Sequence, residues 1–93
     1  MKDFIVKTIS GEMTVKAYHV GNLRVHRPIG KGFCKWRIST ISGIGLLGSN
    51  KSLKETLVQT KIIDSKFNFS LSNDELRTNE GLRDYILSLK RFI

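Results

Sequence analysis

The residues of this chain with the clearest chemical potential are basic side chains on two neighbouring extended segments. Arg24 and His26 alternate with apolar residues in one segment, and Lys35 and Arg37 alternate with apolar residues in the next. Side chains two residues apart on a strand point to the same face. If the two segments pair, four cationic or cationisable groups share one face, which suits contacts to phosphate groups.

The positive charge is concentrated in the first part of the chain. Residues 1–54 contain ten Lys or Arg and two acids, whereas residues 55–93 contain six of each, for a net charge of +8. Such a field attracts a polyanion or an acidic surface, although dispersed lysines also serve solubility. The candidate nucleic-acid contacts, with Lys35 and Arg37 central and Lys31 on a glycine-flanked loop, are Arg24, His26, Arg27, Lys31, Lys35, Arg37, Lys51 and Lys54.

Catalytic and metal sites are poorly supported by the sequence. His19, His26 and Cys34 are too few and too irregularly spaced for a structural zinc site. A Cys34/His26 nucleophile pair requires the two segments to pair, and a small apolar cysteine with a surface histidine is the simpler interpretation. Residues 43–48 fit G-x-G-x-x-G but open no βαβ unit. We therefore expect no enzyme, no metal and no cofactor.

Hydrophobic periodicity predicts a single α+β domain over residues 1–93, an antiparallel meander of four to six strands with two α-helices packed on one face. The opposite face would carry Lys7, Lys16, Arg24, His26, Lys35 and Arg37. The predicted strands are 3–9, 13–18, 23–28, about 33–41, 44–47 and a last one containing Phe67, Phe69 and Leu71. A helix over about 52–64 and a C-terminal helix complete the prediction.

Both predicted helices carry start signals and an apolar stripe. Ser52 and Glu55 have capping-box spacing, and Ser72 or Thr78 could cap the last helix. The first stripe, expected to face the core, is Leu53, Leu57, Val58 and Ile62. The second stripe is Leu82, Tyr85, Ile86, Leu89 and Ile93.

Composition favours a cytoplasmic protein. Among 93 residues there is one cysteine, Cys34, which suits a reducing compartment. No uncharged stretch is long enough to span a bilayer, and the alternating start of the chain is unlike a signal peptide. An exposed sheet edge or the Leu89–Phe92–Ile93 cluster could support a homodimer.

Residues 23–64 resemble the three-strand-plus-helix arm-type DNA-binding domains of phage and transposon integrases. The likeness rests on Trp36 early in a strand and on the helix start Asn50-Lys51-Ser52-Leu53-Lys54-Glu55. It implies DNA contacts by the sheet, and the chain also has the general look of a small bacteriophage accessory protein. The start of residues 31–38 is similar to the RNP1 motif, but Lys35 stands at an aromatic position. Residues 4–11 resemble the first hairpin of ubiquitin, a likeness that ends there.

Two functional hypotheses follow. The first is a non-enzymatic protein that binds DNA or RNA through its basic sheet face and loop, in the host cytoplasm if it is phage-encoded. The second is an inhibitor or adaptor that docks on an acidic surface of a host protein. Neither hypothesis involves a membrane.

Overall fold

The described part of the chain contains five antiparallel strands, which lie in the sheet in the same order as in the sequence. The computed structural model describes residues 2–8, 11–28, 34–43, 45–71 and 73–89. The strands are β1 (Lys2–Thr8), β2 (Gly11–Val20), β3 (Leu23–His26), β4 (Trp36–Thr40) and β5 (Gly45–Ser49). The predicted meander is confirmed, and its short connections explain why each strand pairs with the next.

The described helices follow the sheet in the chain. They are α1 (Leu53–Lys66), α2 (Asn73–Arg77) and α3 (Glu80–Leu89). The α+β class is confirmed, and α2 is an additional helix. The predicted strand at Phe67–Leu71 is wrong, because Asn68 forms a local turn in which its side-chain oxygen accepts a hydrogen bond from the Ser70 N–H at 3.1 Å.

The main core lies between one face of the sheet and the helices. Its buried members are Leu23, Val25, Ile38, Leu47, Ile63, Phe69, Leu76, Leu82 and Ile86. These residues come from β3, β4, β5, all three helices and the turn after α1. The helices therefore cover one face of the sheet, as predicted.

The face of α1 that contacts the core matches the predicted stripe only in part, because Leu53 and Leu57 pack against the core. Thr56, Thr60 and Ile63 are buried, whereas Val58 is 57% exposed and Ile62 is 43% exposed. The Thr60 hydroxyl donates to the Thr56 carbonyl at 2.7 Å. Because hydroxyl groups satisfied in this way can be buried at little cost, the threonine stripe packs closely on the sheet. The predicted apolar stripe is left partly in solvent.

A polar contact holds the C-terminal turn of α1 against the turn between β2 and β3. Gly21 adopts a φ of 56°, and the Asn22 N–H donates to Asp64 Oδ1 at 3.1 Å. A side chain at Gly21 would overlap the Asp64 carboxylate. This turn therefore requires glycine both for its backbone conformation and for the close approach of the helix.

The start of α3 is capped by a residue that the sequence analysis did not select. Asn79 Oδ1 accepts a hydrogen bond from the Leu82 N–H at 3.0 Å. Thr78 instead donates its hydroxyl to carbonyls of α2, and Ser72 lies outside the described residues. The predicted stripe of α3 is confirmed at its described positions, since Leu82 and Ile86 are buried.

The face of the sheet opposite the helices carries a smaller apolar cluster. Phe4, Val6 and Ala17 are buried there, with Val15 packed against them. The His26 ring lies 5.9 Å from the Phe4 ring, and His26 is only 2% exposed. The predicted exposed position of His26 is therefore wrong.

Lys16 also departs from the predicted basic face. It neighbours Ala17, whose partner across β2 and β3 is His26, so Lys16 points to the other side of the sheet. Its ammonium forms a salt bridge with Asp3 on β1. The side chain of Lys7 lies outside the described part of the chain.

Candidate nucleic-acid interface

Three strand ends bring basic residues to the same end of the sheet. Arg27 follows β3, Lys35 precedes β4, and Lys51 follows β5. The register pairs His26 with Arg37 and Trp36 with Ser49. Because neighbouring strands are antiparallel, the end of β3, the start of β4 and the end of β5 lie at the same end of the sheet.

Three hydrogen bonds, each involving a backbone group, hold these residues together. Arg27 Nη1 donates to the Lys35 carbonyl at 3.3 Å, and the Lys35 N–H donates to the Ser49 carbonyl at 3.0 Å. The Lys51 N–H donates to Ser49 Oγ at 3.2 Å. We call the exposed set Arg27, Lys35, Arg37 and Lys51 the basic end.

A hydrogen bond between two buried hydroxyl groups joins the strand next to the basic end to α1. Ser49 Oγ lies 2.9 Å from Thr56 Oγ1, and both side chains are buried. Ser49 therefore contacts α1 through Thr56 while its backbone and side chain hold Lys35 and Lys51. No sequence signal singled out Ser49, since a serine at the end of a short strand has many possible partners.

Arg27 and Trp36 form a cation–π contact beside the basic end. The Arg27 guanidinium carbon lies 4.2 Å from the centre of the Trp36 ring. Tyr18 contacts the same ring edge-on at 6.2 Å. Trp36 is thus a half-buried anchor for Arg27, and the guanidinium occupies one ring face on which a base would stack.

Arg37 lies across the glycines of β5. A Cβ atom at Gly45 would lie 3.3 Å from Arg37 Nε, and one at Gly48 would lie 3.6 Å from Arg37 Nη1 and 2.9 Å from Cys34 Sγ. The glycines therefore provide a flat surface on which the exposed Arg37 rests. This steric role explains two glycines of the G-x-G-x-x-G stretch.

His26 forms a buried hydrogen-bonded network on the same face. Its Nδ1 lies 2.7 Å from the Arg27 carbonyl, and its Nε2 lies 2.8 Å from Ser39 Oγ. Because a carbonyl only accepts, the neutral ring carries its proton on Nδ1 and accepts the Ser39 hydroxyl at Nε2. Burial lowers the pKa of His26, the Arg27 carbonyl opposes that shift, and Arg37 lowers it further. His26 is therefore a buried structural residue, paired with Arg37 across β3 and β4.

Arg24 lies toward the opposite end of β3. Its guanidinium donates to the carbonyls of Gly21 at 2.9 Å and Leu23 at 2.8 Å. Burial lowers its pKa, and the neighbouring Asp64 carboxylate raises it. Arg24 therefore stabilises the β2–β3 turn and is separated from the basic end along the strand.

Two further candidate contacts complete the set. Lys54 is exposed in the first turn of α1, close in sequence to Lys51. Lys31 lies outside the described residues. Of the predicted contacts, the structure groups Arg27, Lys35, Arg37 and Lys51 and separates Arg24 and His26 from them.

The described residues offer no grouping suited to metal binding. They contain no group of three His, Cys, Asp or Glu side chains that could hold an ion. Both ring nitrogens of His26 are engaged, by the Arg27 carbonyl and by Ser39. Ser39 is fully buried, so this serine–histidine contact is closed to a substrate. None of the described helices is long and apolar enough to span a membrane.

Comparison of the chain with protein-family models, with curated proteins and with solved structures finds no match. The resemblance to integrase arm-type domains therefore stays a prediction. The assignment of function depends on the geometry and charge of the basic end.

Proposed function

We propose that this protein binds nucleic acid through phosphate contacts made by the basic end. The observation that carries the proposal is the set of hydrogen bonds joining Arg27, Lys35, Ser49 and Lys51. These bonds fix the backbone positions from which the cations extend, so the backbone needs no reordering when the side chains meet a row of phosphates. The proposed setting is the cytoplasm, that of the host if the protein is an accessory protein of a phage.

The contacts favour the sugar–phosphate backbone over the bases. Arg27 covers one face of Trp36, which is half-buried against Tyr18. Phe4 is buried on the opposite face of the sheet. Since stacking on exposed aromatic rings dominates sequence-tolerant binding of single strands, we expect a duplex to bind at least as well as a single strand of equal length.

The test is fluorescence anisotropy with labelled duplex DNA, single-stranded DNA and RNA, at about 50 and 200 mM salt. We expect binding that weakens steeply with salt. Replacing Lys35 and Lys51 by glutamate should lower affinity at least about tenfold and reduce the salt slope by about 2, since each phosphate contact contributes about 1. Both side chains are exposed, so the fold should tolerate the changes.

A charge-matched control distinguishes binding at a local site from attraction by the overall positive charge of the protein. Lys61→Glu with Lys66→Glu changes the net charge equally, on the exposed surface of α1. We expect this variant to bind nearly as well as the parent protein. Equal losses in both double variants would contradict the basic end as the site. No binding at the lower salt would overturn nucleic acid as the partner and leave an acidic protein surface as the leading hypothesis.

A further inference from the structure

A groove separates the end of β2 from α1, and its floor is apolar. It has a volume of about 440 Å³ and is lined by Tyr18, Val20, Leu57 and Val58 among others. Val58 is 57% exposed, and Ile62, one turn further along α1, is 43% exposed. The sequence-predicted core stripe of α1 thus becomes a partly solvated apolar surface next to a groove. Contiguous exposed apolar surface of this kind is typical of an interaction site.

The rim of the groove is positively charged. The exposed Lys2 and Lys61 supply this charge and line the groove beside the His19 ring, and no acidic residue in the described part of the chain lines it. The three acids nearest to the lining residues in the chain, Asp3, Glu55 and Asp64, are engaged by Lys16, by the Ser52 hydroxyl and by the Asn22 N–H, respectively. An occupant with carboxylate groups would therefore meet complementary charge.

The electrostatic environment of His19 is consistent with a positively charged groove rim. Desolvation lowers the pKa of His19, and the positive charges of Arg24 and Lys2 lower it further. Repulsion among these groups indicates a local excess of positive charge. A negatively charged occupant would relieve that repulsion.

The groove lies along an edge of the sheet. Among the described residues, the pairing of β1 with β2 extends to Lys2 and Ala17, and Tyr18–Val20 continues with no described strand on that side. An extended peptide can pair with such an edge while its side chains enter the adjoining groove. A second copy of this chain is a poor occupant, because its net charge is also +8 and its own groove carries the same cations.

We propose that this groove binds an extended acidic segment of a partner protein that inserts at least one large apolar side chain between β2 and α1. The apolar floor recognises the inserted side chain, and the rim recognises the flanking carboxylates. The groove is formed by β2 and the middle of α1, whereas the basic end lies at the N-terminal end of α1. This binding activity is therefore separate from the proposed nucleic-acid contacts.

The experiment selects peptides from a randomised display library on the immobilised full chain, after nuclease treatment. We expect enriched sequences that combine Asp or Glu with a large apolar residue. The best peptide is then synthesised, labelled and titrated by anisotropy. Its binding should perturb the methyl resonances of Val20, Leu57 and Val58 in heteronuclear NMR spectra.

Substitutions of groove residues test whether the peptide binds in the groove. Val58→Ser removes exposed apolar surface and Lys61→Glu reverses a rim charge, and each should lower peptide affinity at least fivefold. Leu87→Ser and Lys66→Glu are the matched controls, because Leu87 is 51% exposed on α3 and Lys66 lies over the Tyr85 ring. Both controls, and the Lys35→Glu/Lys51→Glu variant, should bind the peptide as the parent does.

Several outcomes would overturn the proposal. They are no enrichment over the unselected library, enrichment of neutral or basic sequences, or peptide binding that survives both groove substitutions. Loss of peptide binding in the Lys35→Glu/Lys51→Glu variant alone would place the peptide at the basic end. Perturbation of the same methyl resonances by raising the protein concentration, without peptide, would identify a second copy as the occupant.

Discussion

At the scale of single residues, His26 shows how burial changes the chemistry that a sequence pattern predicts. Its pairing with Arg37 and its alternation with Val25 follow the predicted strands. Phe4 comes from a distant part of the chain and packs against the ring, while Ser39 and the Arg27 carbonyl take up both ring nitrogens. His26 therefore has a structural role between β3 and β4, with its ring nitrogens engaged inside the protein.

The buried position of His26 predicts a pH-dependent stability. Its pKa is lowered from the ordinary value of 6.5 in the folded protein. The unfolded chain thus binds a proton more readily, so the free energy of unfolding should decrease as pH falls through about 6.5. Urea denaturation between about pH 7.5 and 5.5, above the ordinary range of the carboxyl groups, measures this slope.

Two variants identify which histidine causes the pH dependence of the free energy of unfolding. His26→Leu should flatten the pH dependence, although it also leaves the Ser39 hydroxyl unpaired at a cost of about 1–3 kcal/mol. His19→Gln should retain most of the slope, because His19 is exposed and His26 is buried. An unchanged slope in His26→Leu would contradict this account.

At the scale of elements, α1 separates what local signals determine from what packing determines. The helix begins after Ser52, as its sequence spacing predicts, and the Glu55 N–H donates to Ser52 Oγ at 3.2 Å. Its rotation about its own axis is set by Thr56, which meets Ser49 of β5. That contact cannot be predicted from the sequence of the helix, because it depends on where β5 lies relative to α1 in the folded protein.

The N-cap of α1 gives a prediction at this scale. Ser52→Ala should lower the free energy of unfolding by about 1 kcal/mol, since the Glu55 N–H loses its acceptor. The matched control is Ser65→Ala in the same helix, where an exposed hydroxyl donates to the Ile62 carbonyl at 2.7 Å. That change should be nearly neutral, because alanine is a better helix former. Equal losses in urea denaturation would contradict the capping role.

At the scale of the whole molecule, stability should be unevenly distributed between the two apolar clusters. The larger cluster joins β3, β4 and β5 to all three helices, whereas the smaller one contains Phe4, Val6 and Ala17 on β1 and β2. Strand β1 is an edge strand that pairs with β2 alone. Its opening therefore disturbs fewer contacts than opening of β3 or β4.

Native-state hydrogen exchange tests this difference. The hydrogen-bonded amides of β1 should exchange with lower free energies of opening, and with weaker denaturant dependence, than those of β3 and β4. The reason is that β3 and β4 each have two neighbouring strands and lie beneath α1. A single free energy of opening shared by all the strands would show that the sheet opens only by global unfolding.

The sequence by itself determined the α+β class, the order of the five described strands, the start of α1, the apolar stripe of the C-terminal helix, and the concentration of positive charge. These properties depend on local periodicity, on turn residues such as Gly21, and on composition. The sequence also selected all four residues of the basic end, because the basic residues of the first 54 positions lie on or next to the predicted strands and the start of the first helix.

Only the tertiary structure decided which of these side chains are buried, paired or free to bind. His26 is covered by Phe4, Lys16 is paired with Asp3, and Val58 faces solvent. Each outcome results from contact between elements that are distant in the chain, and local periodicity carries no information about such contacts. For the same reason, the groove between β2 and α1 became visible only once the helix had packed on the sheet.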